Sequence, residues 1–441
     1  MKQAEMRERI RDKETEFLKD LQRLMVIPSV KGRVEPNAPF GQACQEVLDT
    51  VLNLAASYGF QTKKISQAVG YAQWGVGDDY IGVVGHLDVV AAGEGWKFPP
   101  FQLSADNGRL YGRGILDNKG PIFACLYALK HIKDAGLSTK HPIRIIFGTD
   151  EESGSHDIPM YLAEEQPPLF GFTPDCKYPV VYGERGVVSY QIKTIINASL
   201  DAFSLIVGDQ AGDHVPDELT LDYAGKILAV SGQRAPSNAP ELGNNAIPLL
   251  ARKILDQQPA PPVASYFQWL IDAFADKHHG EGLGMDFVDE ESGQLIVTPY
   301  LLQREEAGFS LQLTIRYPVS YKEEAITEKL TRQLPKNSEL AIIRSLKGHL
   351  FQGEPEAIKL LSNIYEELTG QDGTPVTTTG ATYARSMPNI VAFGPSFPGQ
   401  KGIAHNKNEY MDQSDLLLNM EIYLQAMFAL ANHTFEKEED K

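Results

Sequence analysis

Two hydrophobic periods alternate along the chain. In residues 14–25 the apolar side chains Phe17, Leu18, Leu21, Leu24 and Met25 recur at helical spacing and stop before Pro28, which predicts an amphipathic helix. A second helix is predicted over 41–58, with Gly59 as its stop. Alternating or apolar runs follow at 61–65, 71–74 and 80–84, each of strand length. Runs at 101–105 and 109–112 flank Asp106-Asn107-Gly108, a hairpin signal because Asn-Gly accepts the positive φ angles of a tight turn. From Pro121, residues Ile122, Cys125, Leu126, Leu129 and Ile132 line one helical face that Gly136 can end. Residues 142–148 and 180–182 read as further buried strands. Strand, helix and strand in alternation predict an α/β layer with a largely parallel sheet.

The pattern changes after Gly186. Residues 187–196 and 309–315 alternate like half-exposed strands, while 264–275 looks helical, which suggests an inserted α+β domain. Past Glu354 a helical face (Ala357, Leu360, Leu361, Ile364, Tyr365, Leu368) ends at Gly370; an apolar strand over 389–393 and a last helix over 413–431 follow. The expected organisation is one α/β domain in two parts, 1–185 and 353–441, around an insert at 186–352. No internal repeat or low-complexity segment occurs, and the charged stretch 436–441 is expected to fray.

Composition narrows the function classes. A chain of 441 residues is too long for one core. Its formal charge of −17, with no basic cluster, argues against nucleic acid as a partner. No apolar run is long enough to span a bilayer, and the first twenty residues carry mixed charge where a signal peptide would be apolar. Three scattered cysteines without a CxxC pair argue against a disulfide framework or thiolate metal site, and fit a cytoplasmic protein.

Chemistry gathers where predicted elements end. His86 and Asp88 follow the 80–84 run, at the carboxyl end of a strand, where open α/β sheets bind ligands. A histidine with a carboxylate two residues on suits a metal ligand with an orienting partner. Asp117 sits in the glycine-bearing Gly112-Arg113-Gly114-Ile115-Leu116-Asp117-Asn118-Lys119-Gly120-Pro121, between strand and helix. Asp150-Glu151-Glu152 follows the 142–148 strand, Asp175 stands in Thr173-Pro174-Asp175, and His405 lies far along the chain. Singly, each has an ordinary reading: a surface histidine, a solvated acid pair, a turn aspartate. Two imidazoles with several carboxylates and no thiolate suit zinc, cobalt or manganese and are too nitrogen-rich for calcium. Two metals need a shared carboxylate, and adjacent acids can divide the work, one ligating and one acting as general base, as in metal-assisted hydrolysis.

In this order, His86-Leu87-Asp88-Val89-Val90, residues 112–121, Asp150-Glu151-Glu152, Thr173-Pro174-Asp175 and His405 resemble the dizinc aminoacylase/ArgE/DapE/carboxypeptidase superfamily. Tyr71-Ala72-Gln73-Trp74-Gly75, Thr382-Tyr383-Ala384-Arg385 and Asn408-Glu409-Tyr410 are similar to its PepV-type dipeptidases, and the likeness runs over nearly the whole chain. The resemblance implies a dizinc exopeptidase-like α/β catalytic domain with an inserted α+β lid, and two Zn2+ ions, with Co2+ or Mn2+ as alternatives. It implies that His86 and Asp175 hold one metal, that Glu152 and His405 hold the other, and that Asp117 bridges them, followed by a cis peptide bond. Asp88 would orient His86, and Glu151 would be the general base acting on the bridging water. Arg316, Arg385 and the loop at Gly380 would grip a dipeptide or short-peptide substrate, and the PepV branch implies a monomer.

The lid departs from the family pattern. Pro236 stands where relatives carry a histidine that stabilises the oxyanion, and Asp213 stands where they carry a substrate-contacting asparagine. Loss of one oxyanion donor costs about 2.7–4 kcal/mol in the barrier. His214 is adjacent to Asp213 and is a candidate replacement. Two readings stay open: a dizinc dipeptidase, or a metal-binding homologue with weak or no peptidase activity or one that hydrolyses N-acyl amino acids.

Overall fold

The computed structural model describes residues 3–435. The 436–441 stretch, expected to fray, lies outside the described residues. Contacts divide the chain into two units. One holds the chain up to Tyr182, then Phe351–Val376 and everything from Ala381; the other holds Gly183–Leu350 and Thr377–Gly380.

The first unit is built on a mixed sheet. Its inner strands, in spatial order Ile143–Gly148, Ile81–His86, Phe170–Thr173 and Ile390–Phe393, run parallel. Val69–Trp74 and Gln61–Ile65 continue the sheet antiparallel on one side, and Val180–Glu184 begins the antiparallel continuation on the other. Every residue of Ile81–His86 and Ile143–Gly148 is buried, and for this reason these runs are largely apolar rather than alternating, with His86 and the hydrogen-bonded Arg144 as the polar exceptions. Helices Gln42–Ser57, Lys119–Asp134 and Gln413–Asn432 bring Val47, Leu48, Phe123, Leu126, Leu424 and Met427 into the same core. Each such side chain contributes about 1.5–3 kcal/mol by leaving water.

The helix predicted over 14–25 is Glu14–Met25. The predicted hairpin is Ser104–Asp106 against Arg109–Tyr111, with Asn107 and Gly108 at φ 50° and 78°. The 80–84 run extends further than expected, so His86 is the last residue of its strand rather than a residue beyond it. An additional helix, Gln3–Asp12, carries among its described side chains two buried apolar residues, Met6 and Ile10, too few to announce it in the sequence.

The second unit has a four-stranded antiparallel sheet in the order Ile296–Arg304, Gly308–Tyr317, Gly186–Ile195, Ser338–Leu346. Helices Ala246–Leu255, Pro261–Phe274 and Glu323–Thr331 contribute Leu250, Phe267, Leu270 and Ile326 to its core, with Ile192, Phe309 and Leu311 from the sheet. The expectation of half-exposed strands holds for the second half of Gly186–Ile195, where Lys193 and Ile195 are exposed, and fails for its first half and for Gly308–Tyr317. Gly308–Tyr317 is almost wholly buried, as are the first five residues of Gly186–Ile195. Their alternate polar side chains satisfy one another: Ser189 Oγ lies 2.9 Å from Thr314 Oγ1, and Gln191 Nε2 donates to Ser310 Oγ at 3.1 Å. Paired in this way, polar groups remain buried without an unsatisfied donor or acceptor. Among the described residues no helix is long and apolar enough to cross a membrane.

Candidate metal centre

Three neighbouring parallel strands end together, and each hands over to a polar residue. His86 closes Ile81–His86 and is in register with Gly148, which closes Ile143–Gly148; the Leu87 N–H donates to the Gly148 carbonyl at 2.9 Å. Glu151 and Glu152 open the single turn Glu151–Ser153 just beyond. Phe170–Thr173 leads directly to Pro174 and Asp175. This is the crevice at the carboxyl ends of parallel strands where such sheets place ligands. Asp117 arrives from the loop before helix Lys119–Asp134, and His405 from a loop in which it adopts φ 61°.

The side chains converge on Asp117. His86 Nε2 lies 3.0 Å from Asp117 Oδ1, and His405 Nε2 lies 2.9 Å from Asp117 Oδ2. His405 Nε2 is also 3.1 Å from Glu152 Oε2, and His86 Nε2 is 3.5 Å from Asp175 Oδ2. Ligand atoms of His86, Asp117 and Glu152 lie within 4.8 Å of one another, as do those of His86, Glu151 and Asp175. One carboxylate therefore turns an oxygen to each of two imidazoles. Nitrogen and carboxylate donors in this arrangement fit a pair of zinc-class cations sharing Asp117.

Burial and charge act against each other here. Burial opposes protonation of His86, yet Asp175, Asp117 and Asp88 together hold its pKa well above the ordinary imidazole value. Burial likewise opposes protonation of His405, but the hydrogen bonds and charges of Asp117 and Glu152 push it up to about 11. Burial tends to raise the Asp117 pKa, and the two histidines overcome it and lower the value. Glu151 is raised well above the carboxylate range by burial, then by the charge of Asp175, and Glu152 is raised by burial and Asp117.

Neighbouring groups fix these side chains. His86 Nδ1 is 2.9 Å from the Asp88 main-chain carbonyl and 3.5 Å from the Asp88 carboxylate. A hydrogen bond at Nδ1 fixes the ring and leaves Nε2 turned toward Asp117. The Asp88 carboxylate accepts the N–H groups of Glu151 and Glu152 at 3.2 and 3.1 Å. The Asp117–Asn118 peptide bond is cis. Asn118 accepts the His86 N–H at 3.3 Å and donates to the Pro174 carbonyl at 2.6 Å, which ties three of the segments together.

Of the candidate substrate contacts, Arg385 belongs to the first unit, in the turn Tyr383–Arg385, while Arg316, Gly380 and Asp213 belong to the second. Arg316 NH1 donates to the Thr379 carbonyl at 2.5 Å, and Gly380 N donates to Thr378 Oγ1 at 3.2 Å. Asp213 Oδ1 lies 2.7 Å from His214 Nδ1, and His214 Nε2 accepts from Arg234 at 2.7 Å. Both ring nitrogens of His214 are thus engaged inside its own unit, and its backbone pairs with Pro236.

A family model described as Peptidase family M20/M25/M40 matches residues 82–429. The chain belongs to that family. This M20 chain is 33% identical to YtjP of Bacillus subtilis (strain 168), over 96% of its own length and 98% of that protein. It is 29% identical to the Beta-Ala-Xaa dipeptidase of Lactobacillus delbrueckii subsp. lactis, over 95% and 96% of the two chains. Human carnosine dipeptidase 1 shares the fold, with a TM-score of 0.65 at 14% identity, covering 97% of this chain and 98% of that one.

Sequence reasoning missed two supporting carboxylates of the M20 site. Glu409 stood in a quoted motif without a role; it is fully buried and accepts three N–H groups of the Asp117 loop. Asp157 begins the helix Asp157–Leu162 and reads in sequence as an ordinary first-turn acid. A carboxylate placed shortly after a candidate ligand was the available signal for Glu409. No local signal marked Asp157.

Proposed function

We propose that this chain is a dipeptidase with a two-metal centre in its first unit. His86 and Asp175 would hold one ion, Glu152 and His405 the other, with Asp117 between them. The single observation that carries the reading is the Asp117 carboxylate, whose two oxygens each face a different imidazole at 3.0 and 2.9 Å. Ions of the zinc class, when bound, supply Lewis acidity toward the scissile carbonyl and toward a water.

The chain's own groups do the rest. Glu151 accepts the proton of the attacking water and delivers it to the leaving amine, as a general base that becomes a general acid. Asp88 keeps Glu151 in place through the Glu151 N–H, and its carbonyl holds His86 by Nδ1. Arg316 and Arg385 each carry a guanidinium fork, which matches a substrate carboxylate. Dipeptides are the favoured substrates because a relative sharing nearly the full length carries that activity in its name. Buried free thiols at Cys44 and Cys125 support a reducing, cytoplasmic setting, and we extend the reading to a monomer.

A second reading, weak hydrolysis, draws on Pro236, which has no side-chain donor, and on His214, whose ring nitrogens are already engaged. One experiment separates the two: metal-loaded protein against a panel of dipeptides, N-acyl amino acids and longer peptides, with Glu151→Gln alongside. The dipeptidase reading expects about two ions per chain and dipeptide cleavage that Glu151→Gln abolishes with metal content intact. Absence of cleavage by the metal-loaded wild type defeats it.

A further inference from the structure

The turn bearing Glu151 and Glu152 begins with four successive main-chain N–H groups, and two buried carboxylates accept all four. Asp88 takes those of Glu151 and Glu152. Asp157 Oδ2 takes those of Thr149 and Asp150, at 2.7 and 3.2 Å. The same oxygen accepts the Tyr383 hydroxyl at 2.5 Å, across 226 residues of sequence. The Tyr383 ring in turn stands edge-on to His86, centroids 6.3 Å apart and planes at 85°. Asp157 and Tyr383 are both fully buried. Gly148 makes room for them: a Cβ there would lie 1.9 Å from the Tyr383 oxygen and 2.5 Å from Asp157 Oδ2. Side chain, hydroxyl and missing side chain thus form one device at the end of strand Ile143–Gly148.

We propose that Asp157 and Tyr383 are positioning residues that set where the Glu151 and Glu152 carboxylates stand relative to Asp117 and His86. The inference rests on the two-metal reading of this unit. Three donors on one oxygen anchor the start of the turn, and the Tyr383 ring carries that anchor to the imidazole of the neighbouring strand. Asp157 meets the main chain of the turn and Tyr383 meets the His86 ring, so they act through the turn and through His86.

Tyr383→Phe removes only the hydroxyl and keeps the ring against His86. We expect kcat on a cleaved dipeptide to fall by about tenfold to a hundredfold with KM unchanged, the range for losing a group that orients metal ligands. Titration of the metal-free protein with Co2+, followed by visible absorption, should show one of two binding steps weakened by about tenfold. Gly148→Ala, which drives a methyl into the same hydrogen bond, should act alike. Tyr365→Phe is the control: it loses a buried residue's hydroxyl bonded to Gln371 Oε1 at 2.8 Å and should keep wild-type values. A Tyr383→Phe protein with wild-type kcat and a wild-type Co2+ curve overturns the proposal, whatever Gly148→Ala does. If the wild type cleaves no dipeptide, the dipeptidase reading falls, and the Co2+ titration still decides whether Tyr383 positions the ligands.

Discussion

Replacing Glu409 by glutamine should loosen the loop that presents Asp117. Glu409 Oε1 accepts the N–H groups of Gly114, Leu116 and Asp117 at 3.1, 2.9 and 3.1 Å, and Oε2 accepts from Arg113 NH1 at 2.7 Å. The Arg113 side chain is 1% exposed and Glu409 is fully buried. Glutamine retains one oxygen for the three N–H groups but turns its own N–H toward the guanidinium, which then has no counter-charge in a dry site. Removing one partner of such a pair costs about 3–5 kcal/mol, a large share of the roughly 5–15 kcal/mol by which a domain is stable. Urea unfolding can be followed through Trp96, whose ring lies 5.2 Å from the Arg113 guanidinium carbon. Hydrogen exchange at the Gly114, Leu116 and Asp117 amides reports the loop itself. The paired variant Arg113→Met/Glu409→Gln should recover part of the loss, with a coupling above about 1 kcal/mol. A single variant within about 0.5 kcal/mol of wild type, with those amides exchanging at native rates, would refute the account.

Other outcomes follow from the same structure. Burial first, then the charge of Lys130, push the His131 imidazole down to about 4, below its unfolded value of about 6.5. Between these values the unfolded chain binds the extra proton, so this contribution is complete above about pH 6.5 and is lost as pH falls toward 4, amounting to about 3–3.5 kcal/mol. His131→Asn should therefore flatten the loss of stability between neutral and acid pH, and an unchanged slope in denaturant melts would count against the assignment. Chelation should lower the melting temperature, because ions held at a hundred times their dissociation constant stabilise the native state by about 2.7 kcal/mol; identical melts with and without chelator would tell against a metal centre in this unit. Pro236→His should raise turnover if a missing donor limits the rate, by about a hundredfold to a thousandfold; steady-state kinetics on one dipeptide reads it directly.

Some candidate ligands carried a local sign, while His405 stood out only through the ordered motifs. His86 and the 150–152 acids stand just after predicted apolar runs, and the sheet brings those run ends together; the strand Phe170–Thr173 ahead of Asp175 was not predicted. The limits were equally physical. Alternation in 187–196 and 309–315 suggested water on one face, since period two reports that residues differ and not whether the polar ones are wet. Cross-strand pairs such as Ser189 with Thr314 keep those positions buried.

Many of the first unit's strands and helices, its parallel layer and the candidate ligand-type residues were thus legible in the sequence alone, because hydrophobic period and turn chemistry act over a few residues; Phe170–Thr173, Ala246–Leu255, Ile296–Arg304 and Glu323–Thr331 were not. Tertiary structure decided what holds the site in place. Glu409 caps a loop about 292 to 296 residues away in sequence, and Tyr383 closes on Asp157 from 226 residues away. His214 was offered by adjacency as a spare donor, and only the folded chain shows its nitrogens taken by Asp213 and Arg234. Such hydrogen bonds join groups with no shared periodicity. They exist only once hydrophobic burial has brought distant segments together and excluded the water that would otherwise satisfy them.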